Sequence, residues 1–195
     1  EIEVVGVKRW RSNTDHIDAV KSAIKLVDCD LTDATSCFNL IRSIRPDFVF
    51  HLAAQTYVAD SWKNPQATMY QNIIMQLNLF EAIRACEINP VIQIAGSSEQ
   101  YGQVRDDELP VTEDNPFRPL SPYAVSKVTQ DLLGYQYFQS YGLKVIRTRG
   151  FKQAGPRRCE AFGTGGLARQ IGESDAALRE PIMYVGNLDA SRVWA

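Results

Sequence analysis

The sequence lacks several features that would each indicate a particular class of protein. Its 195 residues include no apolar run long enough to span a membrane, and no export signal opens the chain. A net charge of −2 provides no broad basic surface for nucleic acid. The four cysteines have no metal-ligand spacing and the two histidines are isolated, so we expect no metal site. These absences favour a globular protein of the cytoplasm with reduced thiols and no membrane or nucleic-acid partner.

The two ends of the chain lack the elements expected to flank them. No helix or glycine-rich loop precedes residues 1–6, which already have the composition of a strand, and residues 191–195 stop without a helix cap. The length still suffices for one domain with a substantial core. We therefore expect a fragment that is truncated at its N-terminus and lacks most of a C-terminal region.

Short apolar stretches alternate with longer amphipathic ones along the chain. Five of the apolar stretches have the length of strands and predict strands at residues 2–7, 25–29, 48–52, 91–95 and 144–148. The longest amphipathic stretches predict helices near residues 66–88 and 121–141. This alternation is typical of an α/β protein with a doubly wound parallel sheet and helices on both faces. Ligands bind such sheets beyond the carboxyl ends of the strands.

A tyrosine and a lysine stand four residues apart at the start of the second long helix. Tyr123 and Lys127 therefore lie on one helical face, one turn apart. A nearby ammonium favours the ionised phenol, so we expect Lys127 to lower the pKa of Tyr123 and make it a usable proton donor or acceptor.

Hydroxyl and carboxylate groups follow the fourth predicted strand. Ser97 and Ser98 are candidates to hydrogen-bond a substrate carbonyl or hydroxyl, and Glu99 is a candidate general base or acid. The alternative is a helix start, because serine and glutamate are ordinary cap residues.

Charged residues at two other strand ends suggest a dinucleotide. Arg9 and Arg11 follow the first strand, where an acid would hold a ribose hydroxyl and an arginine accommodates a 2′-phosphate, so NADP is favoured over NAD. Asp30, after the second strand, is a candidate acceptor for an adenine amino group. A solvated basic loop and a plain helix cap are the respective alternatives. Arg157 and Arg158 suit diphosphate oxygens, or form an exposed basic turn.

Several of these segments together resemble the extended short-chain dehydrogenase/reductase family. The similar segments are the adenine-contact segment at 30–33, the "N/H-L-A-A" strand end at 51–55 and the "S-P-Y-A-x-S-K" helix at 121–127. Residues 155–158 and 185–189 are similar to both GDP-mannose 4,6-dehydratases and GDP-4-keto-6-deoxymannose reductases. Residues 58–62, 96–102 and 147–149 are closer to the reductases, and residues 8–12 to the dehydratases.

The resemblance implies a fold, a cofactor and a set of site residues. It implies a Rossmann-like NAD(P)-binding domain at 1–150, without its first strand and glycine loop, and the start of a substrate-binding region at 151–195. Tyr123 would be the catalytic acid/base, assisted by Lys127, Ser97 would orient the sugar at C4, and Glu99 would remove a proton in a dehydratase. The substrate would contact Ser98 and Arg157. The residues expected to bind NADP are Arg9, Arg11, Ser12, Asp30, Leu31, Leu52, Ala53, Ala54, Gln55, Tyr123, Lys127 and Arg158.

Departures from the family pattern leave more than one function open. The family's "F-N-H" is Phe151-Lys152-Gln153 here, and its "R-D-F/W" is Arg192-Val193-Trp194. The first hypothesis is an NADP-dependent enzyme acting on a GDP-linked hexose, most similar to the reductases. The alternatives are a GDP-mannose 4,6-dehydratase and a truncated, inactive nucleotide-binding module. In this family the helices near 66–88 and 121–141 also pair into a homodimer of the full-length protein.

Overall fold

The computed structural model describes residues 2–153, 155 and 162–186 and divides the chain into two compact units, 1–149 and 150–195. The first unit contains five strands: β1 (Val5–Lys8), β2 (Lys25–Asp28), β3 (Phe48–His51), β4 (Val91–Ala95) and β5 (Lys144–Thr148). Its α-helices are α1 (Ala34–Ile44), α2 (Val58–Lys63), α3 (Pro65–Ala85) and α4 (Pro122–Tyr141). Short 3-10 helices lie at Asp15–Ala23, Ser98–Gln100 and Asp106–Glu108. In the second unit α5 spans Gly163–Asp175.

All described strand pairs are parallel, which confirms the predicted α/β class. β1 pairs with β2, with Val5 beside Lys25. Separately, β4 lies between β3 and β5 and pairs Val91 with Phe48 on one side and with Lys144 on the other. The five strands described thus form a two-stranded and a three-stranded sheet.

The core lies between the three-stranded sheet and helices α1, α3 and α4. Phe80 and Ile83 of α3 and Ile92 of β4 have no solvent exposure, and they form one cluster with Ile41 of α1 and Tyr137 of α4. These contacts hold α4, the helix of Tyr123 and Lys127, against the sheet.

The sequence predicts helices on both faces of the sheet, but among the described residues only one face of β3 is covered. Phe48, Phe50 and Leu52 are 66%, 69% and 66% exposed, whereas the intervening His51 is buried and Val49 packs against the core. Successive side chains of a strand point to opposite faces, so helices α1, α3 and α4 cover one face of β3 and leave the other open.

Local signals in the sequence explain where the helices begin and end. The side chain of Asp33 caps α1 by accepting a hydrogen bond from Ser36 N. Ser121 caps α4 in the same way by accepting from Ala124 N, with Pro122 in the first helical position. Gly142 ends α4 with φ of +70°, as the sequence predicts. No helix among the described residues is long and apolar enough to cross a lipid bilayer.

Candidate active site

Helix α4 brings Tyr123 and Lys127 to one buried position beside the carboxyl end of β4. The two residues are 8% and 4% exposed, and the Lys127 Nζ atom lies 5.9 Å from the centre of the Tyr123 ring. Lys127 Nζ also donates a hydrogen bond to Ala95 O, the last residue of β4, at 2.9 Å. The predicted pairing on one helical face is therefore present, and the strand end fixes the ammonium.

The segment after β4 holds Ser97 and Glu99 in a tight turn. Ser97 caps the 3-10 helix at Ser98–Gln100: its hydroxyl accepts from Glu99 N, and its own N–H donates to Gln100 Oε1. This is the helix start that the sequence left as an alternative for the Ser-Ser-Glu stretch. The cap does not exclude a role in binding, since Ser97 also acts on Tyr123 and lowers the pKa of its phenol.

Glycine is required where this turn leaves the strand. Gly96 N donates to Thr148 O at 2.7 Å, and a Cβ atom at Gly96 would lie only 2.3 Å from the same oxygen. The backbones of β4 and β5 therefore approach each other too closely for any other residue. This contact fixes the starting point of the turn that carries Ser97.

Burial, and not the neighbouring ammonium, has the largest effect on the acidity of Tyr123. Desolvation raises the pKa of the Tyr123 phenol, the hydrogen bond with Ser97 lowers it by less, and the charge of Glu99 raises it. The expectation that Lys127 makes this phenol more acidic is thus wrong for the chain as described. Desolvation also lowers the pKa of Lys127 to about 8, so the ammonium is the more readily titrated group of the pair.

His51 lies in the same buried region at the end of β3. It is 4% exposed, and its pKa falls to about 4, mainly through burial and further through the positive charge of Lys127. The imidazole is therefore neutral at neutral pH. Its Nε2 atom has no hydrogen-bond partner among the described residues.

Asn72 holds the segment after β3, and the sequence analysis missed it. The Asn72 side chain is fully buried, accepts from Gln55 N at 2.7 Å and donates to Gln55 O at 3.1 Å and to Ser126 Oγ at 2.9 Å. Ser126 Oγ in turn donates to Tyr123 O. Asn72 thus joins the predicted cofactor-binding segment, with Leu52, Ala53, Ala54 and Gln55, to the helix of Tyr123. A polar residue on the buried side of α3 was the available signal.

The basic segment after β1 is exposed and makes few contacts. Arg9 and Arg11 are exposed, and the Arg11 guanidinium carbon lies 4.2 Å from the centre of the Trp10 ring. Ser12 N donates to Arg9 O and closes a turn, with Arg11 at a φ of +58°. Lys8, by contrast, pairs with Asp28 of β2. Both predicted cations, Arg9 and Arg11, therefore extend into solvent.

Asp30 closes its own turn, and Asp33 is the residue that caps α1. The Asp30 carboxylate accepts from the N–H and the hydroxyl of Thr32, and these bonds lower its pKa. Leu31 contributes its carbonyl to Asn78 Nδ2 at 3.0 Å. The local turn explains Asp30 without a ligand, so its predicted contact with adenine stays a prediction.

The other residues singled out in the sequence do not belong to the described part of the first unit. Arg157, Arg158 and Val193 lie outside the described residues. Lys152 and Gln153 lie in the second unit, which is described by itself.

Comparisons with known proteins agree with the motifs. A family model described as GDP-mannose 4,6 dehydratase matches residues 1–195. GDP-mannose 4,6-dehydratase of Vibrio cholerae is 34% identical over 203 residues, which cover 98% of this chain and 54% of the relative. GDP-6-deoxy-D-mannose reductase of Pseudomonas aeruginosa is 35% identical over 147 residues, covering 75% and 48%. The chain thus spans about half the length of these curated relatives.

A solved structure shows the same fold. The structure of RMD from Pseudomonas aeruginosa complexed with NADPH matches with a TM-score of 0.82 and 32% identity, over 92% of this chain and 64% of that one. The predicted Rossmann-like class and the predicted family resemblance are both confirmed.

Proposed function

Because the chain belongs to the GDP-mannose 4,6 dehydratase family, we propose that it is part of an NADP-dependent enzyme acting on a GDP-linked hexose. The observation that carries the proposal is the group of Ser97, which is half-buried, with the buried Tyr123 and Lys127 at the carboxyl end of β4. The reaction we favour is that of a GDP-4-keto-6-deoxymannose reductase. The relative whose structure is complexed with NADPH supports the choice of cofactor.

The donor groups present are suited to a nicotinamide dinucleotide. Lys127 carries three N–H donors and gives one to Ala95 O, which leaves donors for ribose hydroxyls. Arg9 and Arg11, exposed at the end of β1, suit the 2′-phosphate that distinguishes NADP from NAD. When bound, NADPH supplies the hydride for reduction of a carbonyl.

The Tyr123 phenol is in the protonated state that a proton donor needs. The raised pKa keeps its phenol protonated at neutral pH, as a general acid requires. In the proposed reaction Tyr123 gives its proton to the oxygen that develops negative charge at C4 of a 4-keto sugar. Ser97, which acts on Tyr123 and lowers its pKa, orients the same oxygen, and Lys127, whose ammonium lies 5.9 Å from the centre of the Tyr123 ring, holds the ribose of the cofactor.

A GDP-mannose 4,6-dehydratase is the second candidate, and Glu99 is the observation that favours it. This carboxylate lies in the same turn as Ser97 and acts electrostatically on Tyr123. A dehydratase needs a base near C5 of the sugar to eliminate water, and Glu99 would serve as that base. In this reaction Tyr123 would first have to act as a base and therefore be ionised, and its raised pKa opposes that ionisation.

We further propose that the full-length protein is a homodimer of the cytoplasm that pairs through α3 and α4. The outer faces of these helices expose large apolar side chains, namely Tyr70, Leu132, Tyr135 and Phe138, which are 49–59% exposed. Apolar area of this kind is typical of protein–protein interfaces.

The test compares two substrates with the chain completed by the flanking coding sequence of its gene. A reductase consumes NADPH with a GDP-4-keto-6-deoxyhexose and does nothing with GDP-mannose. A dehydratase forms the 4-keto product from GDP-mannose without net consumption of NADPH. Turnover of neither substrate would contradict both proposals and favour the inactive module.

A further inference from the structure

Two arginines have no part in the site described above: Arg147, near the end of β5, and Arg149, which directly follows that strand. Asp131 of α4 binds both arginines. Its carboxylate is 1% exposed, and it accepts from Arg147 Nη1 at 2.6 Å and from Arg149 Nε at 3.1 Å. Asp131 lies one helical turn beyond Lys127 and two beyond Tyr123 on the same side of α4.

The two arginines differ in what else they contact. Arg149 is 12% exposed, and its Nη1 atom donates to Tyr101 OH at 3.2 Å and to Glu113 O at 2.7 Å. Its guanidinium carbon also lies 4.6 Å from the ring centre of Phe117 and 5.5 Å from that of Tyr101. Arg147 is 33% exposed and, besides Asp131, lies over the ring of Tyr135.

Tyr101 connects Arg149 to the turn of Ser97 and Glu99. Tyr101 is 4% exposed, directly follows the 3-10 helix at Ser98–Gln100, and donates its N–H to Ser98 O at 3.1 Å. At the other end of the turn, Gly96 N donates to the carbonyl of Thr148, the residue before Arg149. The end of β5 therefore holds both ends of the turn, one through a backbone carbonyl and the other through the Arg149 side chain.

We propose that Arg149 is a positioning residue that fixes the Ser97–Glu99 turn relative to Tyr123 by joining Asp131 of α4 to Tyr101. This inference rests on the proposed function for its catalytic consequence. A guanidinium can serve both sides at once, because its fork carries donors in several directions in one plane. A lysine at this position places its donors on a single nitrogen instead of a planar fork, so we expect it to bind Asp131 or Tyr101 but not both.

The experiment measures hydrogen exchange of the peptide amides at 96–101 in this chain, and it uses Arg149→Lys and Arg149→Met. Arg147→Met is the matched control, because Arg147 binds the same carboxylate but does not contact Tyr101. We expect both Arg149 variants to speed exchange of these amides by about tenfold or more, and the control by less than about threefold. Equal effects of Arg147→Met and Arg149→Met, or no effect of Arg149→Lys, would overturn the proposal.

A double variant covers the case in which Arg149→Met does not fold, since that change leaves a buried carboxylate short of a partner. Asp131→Asn combined with Arg149→Met removes both charges and is expected to show the same faster exchange at 96–101. Unchanged exchange in a folded double variant would also overturn the proposal.

Kinetics of the completed enzyme test the catalytic consequence. We expect Arg149→Lys to lower kcat by roughly tenfold to a hundredfold with a smaller change in KM, because displaced groups reduce the rate more than they reduce binding. A rise in KM with kcat unchanged would contradict positioning for the chemical step. A wild-type chain without activity would contradict the proposed function, and the exchange result would still decide whether Arg149 holds the turn.

Discussion

The proton-transfer residues and the residues proposed to hold the cofactor phosphate are fixed to very different degrees. Tyr123 and Lys127 are buried and lie on a capped helix, and Lys127 is hydrogen-bonded to the end of β4. Arg9 and Arg11 stand in an exposed turn whose one cation–aromatic contact is within the turn itself. The first group has its geometry set by packing before any ligand binds, whereas the second is suited to a ligand by its charge alone.

Among the changes that test this difference, removal of the Tyr123 hydroxyl has the largest expected effect on activity. Tyr123→Phe deletes the proton donor, so we expect activity of the completed enzyme to fall by roughly a hundredfold to ten-thousandfold. Tyr141→Phe, an exposed change at the far end of the same helix, is the control and should leave the rate unchanged. Steady-state kinetics measure both, and a Tyr123→Phe enzyme with more than about a tenth of normal activity would refute the assignment.

The buried ammonium predicts a pH dependence of stability. The Lys127 pKa is about 8 in the folded chain against an ordinary value of 10.5, so the unfolded chain binds more protons between these values. Stability therefore rises with pH from about 8 to about 10.5, by at most about 3 kcal/mol relative to Lys127→Met, which cannot titrate.

Chemical denaturation of both proteins across that pH range measures the difference. As the pH rises, the free energy of unfolding of the wild type should increase relative to that of Lys127→Met. Parallel stability curves for the two proteins would show that burial does not shift the titration of Lys127.

Breaking the buried amide contact should destabilise the fold to a smaller extent. Asn72→Ala leaves the N–H and C=O of Gln55 without their partner, and we expect a loss of about 1–3 kcal/mol. Asn78→Ala, which removes one bond to Leu31 O from a less buried position, is the matched control and should cost less. Equal losses in urea denaturation would mean that Asn72 does not have the special role inferred for it.

These buried contacts also show where sequence reasoning reached its limit. Helix α4 was predictable because Ser121, Pro122 and Gly142 act locally, and its Tyr–Lys spacing is a property of any helix. The bond between Asn72 and Ser126 joins residues 54 positions apart, and only the packing of α3 on α4 creates it.

The predicted direction of the Tyr123 pKa shift was wrong for the same reason, because it too depends on tertiary packing. The Tyr–Lys spacing shows the neighbouring ammonium, but the burial that dominates the pKa comes from tertiary packing. Likewise Val58–Lys63 is a helix that no local pattern predicted. The division into an NAD(P)-binding domain at 1–150 and the start of a substrate-binding region at 151–195 stays a prediction.

The exposed arginines should give the smallest effect. Arg9→Ala combined with Arg11→Ala is expected to weaken NADPH binding to the completed enzyme by about tenfold per lost phosphate contact, or about 1.4 kcal/mol. NADH binding and folding stability should be unchanged, since exposed substitutions typically alter stability by less than about 0.5 kcal/mol. Calorimetric titration with both dinucleotides measures this, and Lys21→Ala serves as a control. An equal loss for NADH would place the arginines elsewhere on the cofactor.

The most direct test of the account is the pKa of the Tyr123 phenol, which NMR can measure with carbon-labelled tyrosine in this chain. Tyr123→Phe identifies the resonance, and the titration needs neither cofactor nor substrate. The account predicts a pKa above the ordinary value of 10.0, because burial outweighs the hydrogen bond from Ser97. A pKa below 10.0 would contradict it, and would mean that the neighbouring Lys127 makes the phenol acidic despite its burial.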